Sequence, residues 1–210
     1  MKELLLILFG WVLGLLSPLI VDLYSEWKQR KNFLASARTE LRDVQFVLAT
    51  TAFLLILKHG QLTTELVEKT AAVFDGYDGN EPIEDMREHL NKVRGMSQQQ
   101  LGQLAAMAHR RDVASGVKIV EPRYIMSNLG ELAKLKPDLQ LRFYELFRTL
   151  DVIEQEVPKI DALVPMTFDS SISEQNHEVI KSEIHSKYVF LARQCERAVD
   201  KIEGIITNIP

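Results

Sequence analysis

The chain has 210 residues, 46% of them hydrophobic and 26% charged, which is room for one domain or two small ones and excludes a disordered polymer. A net charge of −4 gives no general attraction to nucleic acid, whose binders carry a basic face. The one cysteine, Cys195, excludes an intrachain disulfide and fits a reducing compartment, and ten glycines with seven prolines are too few for a β-rich or linker-rich chain.

The first element in chain order is Leu4 to Val21, LLLILFGWVLGLLSPLIV, without a single charge. As a helix this stretch is about 27 Å long at ~1.5 Å per residue, close to the ~30 Å hydrocarbon thickness of a bilayer. It reads as a transmembrane helix. A cleaved signal peptide fits less well, because the apolar stretch is long and no A-x-A site follows it. Lys2 alone precedes the span, whereas Lys28, Arg30, Lys31, Arg38 and Arg42 follow it. The positive-inside rule therefore places the C-terminal side in the cytoplasm, under the inner membrane in a bacterium. Tyr24 and Trp27 stand where an aromatic belt is expected, and Lys28, Arg30 and Lys31 are expected at anionic headgroups. Within the span, Gly10, Gly14 and Ser17 make a small-residue face that would let a second helix approach closely. Pro18 is expected to kink the last turn, having no N–H to donate.

Three segments carry a sustained apolar repeat. The first runs Leu34, Ala37, Leu41, Val44, Leu48, Ala52, Leu55. The second runs Leu139, Phe143, Leu146, Leu150, Ile153, Val157, Ile160, Val164, and the third Ile180, Ile184, Tyr188, Leu191, Cys195, Ala198, Ile202, Ile205. Steps of three and four put each set on one face of a long helix, and a seam near 3.5 residues favours shallow bundle-like crossings. The first of these helices is expected to continue directly from the span. Its later part, Phe46 to Leu57, is apolar on nearly all sides, which predicts a central position in a bundle; a second membrane pass or a partner-docking surface are the alternatives. Pro137 suits the first turn of the second helix. Pro158 is expected to kink or end it, and Pro165 to close the segment. Ser171 to Glu174 fits a capping box opening the third helix. The short Val164–Ser170 connection favours an antiparallel pair.

The middle of the chain is less regular. Gln61 to Phe74 predicts a helix, Asp75 to Pro82 a turn, and Ile83 to Gly95 a short helix. Ser97 with Gln100 predicts a capped helix running through Leu101, Leu104 and Met107. Gly116 to Tyr124 reads as extended, and Ile125 to Leu135 as one more short helix. The expected fold is all-α: a transmembrane anchor over residues 1–24, a juxtamembrane and first bundle helix over 25–58, short helices and loops over 59–136, and an antiparallel long-helix pair over 137–210.

Candidate chemistry is sparse. The acidic Asp75–Glu81 turn fails the EF-hand pattern, because Tyr77 occupies the third position and the glycine is misplaced. Of the histidines 59, 89, 109, 177 and 185, none belongs to an H-E-x-x-H; Glu174 with His177 is a lone E-x-x-H, half of what a di-iron bundle uses. Cys195 lies in an apolar seam, as a structural thiol does. His109-Arg110-Arg111 reads as the basic end of a helix. No common nucleotide-binding or hydrolase motif occurs. The expectation is accordingly a non-enzymatic, single-pass, membrane-anchored interaction, scaffold or signalling protein with a cytoplasmic domain. Its expected partners are the lipid bilayer, itself as a homo-oligomer and an unidentified protein, with no cofactor, metal or nucleic acid. Two other classes stand beside it: a membrane-active effector of the anti-phage or toxin type that uses Phe46–Leu57 to perturb the bilayer, and an enzyme with an unfamiliar helical active site.

Overall fold

The computed structural model describes residues 2–79, 83–108, 116–117 and 121–209; for residues 2–10, 12, 13, 15 and 19 it describes the backbone alone. Among these residues all regular structure is helical. The elements are α1 (Lys2–His59), α2 (Thr64–Asp75), α3 (Glu84–Arg94), α4 (Gln98–Ala108), α5 (Arg123–Ser127), α6 (Leu129–Leu132), α7 (Pro137–Leu163) and α8 (Glu174–Ile206), with a 3-10 turn at Pro165–Phe168 before the last.

α1 is a single helix of 58 residues with Pro18 inside it, about 87 Å at ~1.5 Å per residue. The expected junction between Leu4–Val21 and the first bundle helix is therefore unbroken. The two halves of this rod differ. Every described side chain from Trp11 to Gln29 is exposed, whereas burial begins at Phe33 and Leu34 and recurs at Ala37, Leu41, Val44 and Leu48. The expected span itself is not shown: among the described residues no helix is long and apolar enough to cross a membrane. Much of that stretch, including residues 4–10, lies outside the described side chains.

The run from Phe46 to Leu57 is core. Leu48, Ala49, Ala52, Phe53, Leu55 and Ile56 are buried, while Leu54 is exposed. Those side chains face the bundle, which takes up the apolar surface that a second membrane pass or a docking face would have used.

α8 lies against both α1 and α7. Its direction is opposite to each. Arg38 donates to the Ile209 carbonyl at 2.8 Å, Gln45 to Glu203 at 3.0 Å, and His59 meets His185 with ring centroids 5.8 Å apart. On the other side Lys201 donates to the Glu145 carbonyl at 3.0 Å and Lys187 pairs with Glu156 at 3.5 Å. The expected α7–α8 antiparallel pair is thus present. All eight residues of the third apolar repeat are buried, and so are all seven of the first. In the second repeat Leu150 and Val164 are only half-buried. Each fully buried large side chain removes enough apolar area from water to contribute ~1.5–3 kcal/mol before chain entropy is set against it.

Several local expectations change. α7 passes through Pro158 and stops at Leu163. One missing amide bond is tolerable there because Val157 and Ile160, on either side of it, are buried. The cap of α8 is Ser173, whose hydroxyl accepts from the Asn176 amide, two residues later than the expected Ser171 box. Ser171 is occupied elsewhere, donating both N–H and Oγ–H to Asp169 at 2.8 and 2.7 Å. The connection is not a plain loop but contains the 3-10 turn. Residues 125–135 form two short helical turns, α5 and α6, rather than one helix. Arg123 already opens α5, so the extended reading of 116–124 does not hold at its end, and residues 118–120 of it lie outside the described residues. α5 is held by α1: the Glu40 carboxylate accepts from the amides of Tyr124 and Ile125 at 2.7 and 2.9 Å, at the positive end of the short helix.

The Ser97–Gln100 box forms as expected, with Gln100 Oε1 accepting from the Ser97 amide at 2.8 Å and Ser97 Oγ from the Gln100 amide at 3.4 Å. The bundle consequently has two ends. One carries the exposed half of α1, the C-terminal end of α8 and α5; the other carries His59, the start of α2 and the middle of α8.

Candidate functional site

Two clefts mark these ends, and the first is built on residues that follow the apolar Leu4–Val21 stretch. It is a groove of about 460 Å³ along α1. Trp27, Arg30, Lys31, Leu34 and Arg38 recur at steps of three and four, so helical geometry alone puts them on one face. Leu34 and Ala35 supply an apolar floor, which Ile209 closes from the far end of the chain. Arg38 holds Ile209 there through its bond to the carbonyl. The Lys31 ammonium sits 5.4 Å from the Trp27 ring centroid, in range of a cation–π contact. Its stem thus runs back one turn, as side chains on a helix lean toward its N-terminus. Tyr24 and Trp27 approach with centroids 6.1 Å apart. No acidic side chain lines the groove. The structure thus brings Trp27, Arg30 and Lys31 together and leaves Lys28 outside, exposed on the neighbouring face.

The expected helix-contact residues stand differently. Gly14 and Ser17 are exposed, and a Cβ added at Gly14 would meet nothing within 4 Å. Gly10 lies outside the described side chains. Among the described residues no contact needs Gly14 to be small.

The second cleft, about 540 Å³, lies at the opposite end and involves His59, His185, Arg193 and Glu196. His59 is buried and stacks on Tyr188 with centroids 4.5 Å apart and an 18° interplanar angle. Burial holds the Glu196 carboxyl above its ordinary range; Lys69 opposes this and the like charges of Asp200 and Glu65 add to it. A third cleft, between Pro122–Ser127 and Phe147–Glu154, mixes Arg123 with Asp151 and Glu154.

Other candidates resolve into structural roles. His177 Nε2 meets the Asp169 carbonyl at 2.9 Å, and so ties the start of α8 to the connection. Hydrogen bonds from Ser171 hold the Asp169 carboxyl below its usual range. Glu174 and His177 therefore serve a helix start. Among the described residues no group of three or more His, Cys, Asp or Glu is placed to hold a metal ion. Cys195 is fully buried, and burial, with Glu196 adding, pushes its thiol up to about 12. At neutral pH it is a protonated core residue without nucleophilic character. The acidic turn is organised by Tyr77, which is buried, stacks on Phe46 at 4.4 Å and donates to Asp43 at 3.1 Å. Gly79 lies against its ring, where an added Cβ would collide with the Tyr77 hydroxyl and force that side chain to move. Residues 80–82 of that turn and the His109-Arg110-Arg111 cluster lie outside the described residues.

Ile209 and the pairing of His59 with His185 escape sequence reasoning, because each joins residues more than a hundred positions apart. Arg38 was legible as one of the basic residues after the span, and its step of seven from Lys31 was the available sign that it shares their face. No family model matches the chain, and neither a curated protein nor a solved structure is significantly similar to it.

The raised Glu196 carboxyl has a pH consequence. Below the ordinary carboxylate range folded and unfolded chains both hold the proton; as pH rises through the raised folded value the fold loses stability. Glu196→Gln removes that loss. Denaturant unfolding of variant and wild type at pH 4 and pH 8 is expected to show the variant gaining relative stability at pH 8. An equal difference at both pH values would contradict this.

Proposed function

We propose that the chain is a membrane-tethered helical interaction protein, with residues 4–21 of α1 crossing the bilayer once and the bundle on the cytoplasmic side. One observation carries this reading: the helix that ends in the core carries, ahead of it, a run of exposed apolar side chains. Trp11, Leu16, Ile20, Val21 and Leu23 are 44–67% exposed. A contiguous apolar surface of this kind is not left to water by a folded domain; it marks a contact with membrane or protein. The uncharged sequence from Leu4 to Val21, about 27 Å as a helix, suits hydrocarbon better than a one-sided protein contact. The basic residues following the span assign the bundle to the cytoplasm.

Anchoring leaves the bundle to do the work, and the absence of recognisable catalytic patterns in the sequence favours binding over chemistry. The partner is a protein or a second copy of this chain. Self-association has a place to begin at Gly10, Gly14 and Ser17, because Gly14 lies exposed where a second backbone can approach.

Trp11→Arg with Leu16→Arg tests the anchor. Both side chains are exposed, so the bundle is expected to keep its helicity and its unfolding midpoint. Each arginine near the span's centre costs about 2.5–3.5 kcal/mol of insertion. The double variant is therefore expected to leave the membrane fraction on alkaline extraction, and full retention would contradict the anchor. Gly10→Leu with Gly14→Leu is expected to weaken self-association of the intact protein in detergent micelles, read by energy transfer between labelled copies. Unchanged transfer would remove the small-residue contact.

A further inference from the structure

The groove at the base of the bundle has a composition that the anchor alone does not require. An anchor needs only scattered cations near headgroups. Here Arg30, Lys31 and Arg38 lie along one face of α1, around an apolar floor made by Leu34, Ala35 and Ile209, with no acidic residue in the lining. None of the three cations belongs to an ion pair among the described residues. The buried Leu34 and Ile209 side chains put low-dielectric surface on one side of the cations, so an anion at the groove is attracted more strongly than one at an open lysine cluster. Side chains on α1 lean toward its N-terminus, as the Lys31 ammonium over Trp27 shows. Trp27 follows Val21 by six residues, or about 9 Å at ~1.5 Å per residue, which is headgroup depth for a span ending at Val21.

We propose that this groove binds the phosphate headgroup of an anionic phospholipid, held by Arg30 and Lys31, with the Trp27 indole against the glycerol region. The inference rests on the membrane-anchor reading and deepens it. Arg38 acts as a positioning residue: it fixes Ile209 as the groove wall, so lipid binding also braces the C-terminal end of α8 against α1.

The test uses the full chain reconstituted into vesicles of phosphatidylcholine alone, and of phosphatidylcholine with an equal amount of phosphatidylglycerol, at ~0.15 M salt. Flotation with the neutral vesicles reads the anchor. Native mass spectrometry after extraction from the mixed vesicles reads which lipid stays bound. The expected result is flotation in both, and retention of phosphatidylglycerol over phosphatidylcholine by about tenfold, the order that two cations near an anionic surface supply. Arg30→Gln with Lys31→Gln is expected to abolish the preference while flotation persists, and Lys28→Gln, on the neighbouring face, to leave it intact. Insertion with equal retention of both lipids would overturn the groove and leave the anchor standing. An equal loss of preference in Lys28→Gln would also overturn it, because simple charge near the membrane would then suffice. Failure to float with neutral vesicles would overturn the anchor and the groove together. Displacement of the retained lipid by millimolar inorganic phosphate would assign the site to free anions instead.

Discussion

The burial of α8 from two sides is the constraint on which the bundle depends. Every member of its apolar repeat from Ile180 to Ile205 is buried, with α1 and α7 flanking the same length of helix. Neither α1 nor α7 can cover its own stripe without α8 between them. The polar contacts then set the register. Gln45, itself buried, donates to Glu203 at 3.0 Å, and Arg42 stands 3.5 Å from the same carboxylate. A slip of one turn along α1 would leave the Gln45 amide buried and unmatched, at a cost of about 1–3 kcal/mol. Apolar burial thus supplies the adhesion, and one buried amide helps fix how the helices align.

From this register the ends of the molecule acquire their different characters. Because α8 runs antiparallel to α1, its last residues return to the level at which α1 leaves the core. Ile209 is therefore available to wall a groove that α1 alone would leave open, and Glu40 is placed to hold α5 beside it. The proposed anchor, the groove and the end of the chain share one short stretch of α1, residues 27–42. Under the proposed anchor, a partner docking on the bundle is coupled to the membrane through one continuous helix rather than through a flexible linker.

The long helices were legible in the sequence because their signal is repetitive. Leu34 to Leu55 and Ile180 to Ile205 repeat at helical spacing over many turns, and no local irregularity can cancel so many matched positions. The single-residue signals were less secure. Pro158 reads as a kink or an end, and α7 continues through it, because tertiary packing on both sides of it outweighs one lost hydrogen bond. Ser171 and Ser173 both satisfy a capping pattern, and Asp169 decides between them by engaging Ser171. Phe46–Leu57 is ambiguous as a sequence, since an apolar run looks the same in a core and in a bilayer; only the three-dimensional neighbours α8 and α2 resolve it. The basal site was half legible. Trp27, Arg30 and Lys31 announce themselves beside an apolar span, whereas Ile209 joins them only after the chain has folded back on itself.

On the proposed reading α1 is one continuous rod that changes solvent from lipid to headgroup to protein core. Spin labels at single engineered cysteines along residues 11–41, in a Cys195→Ala background within phosphatidylcholine vesicles, measure this directly through their accessibility to oxygen and to a water-soluble nickel complex. The account predicts oxygen access on every face from Trp11 to Ile20, a crossover to nickel access near Tyr24 to Lys28, and from Phe33 onward a 3.6-residue alternation between protected and aqueous sites. Nickel access throughout 11–20, or one-sided protection there, would contradict it.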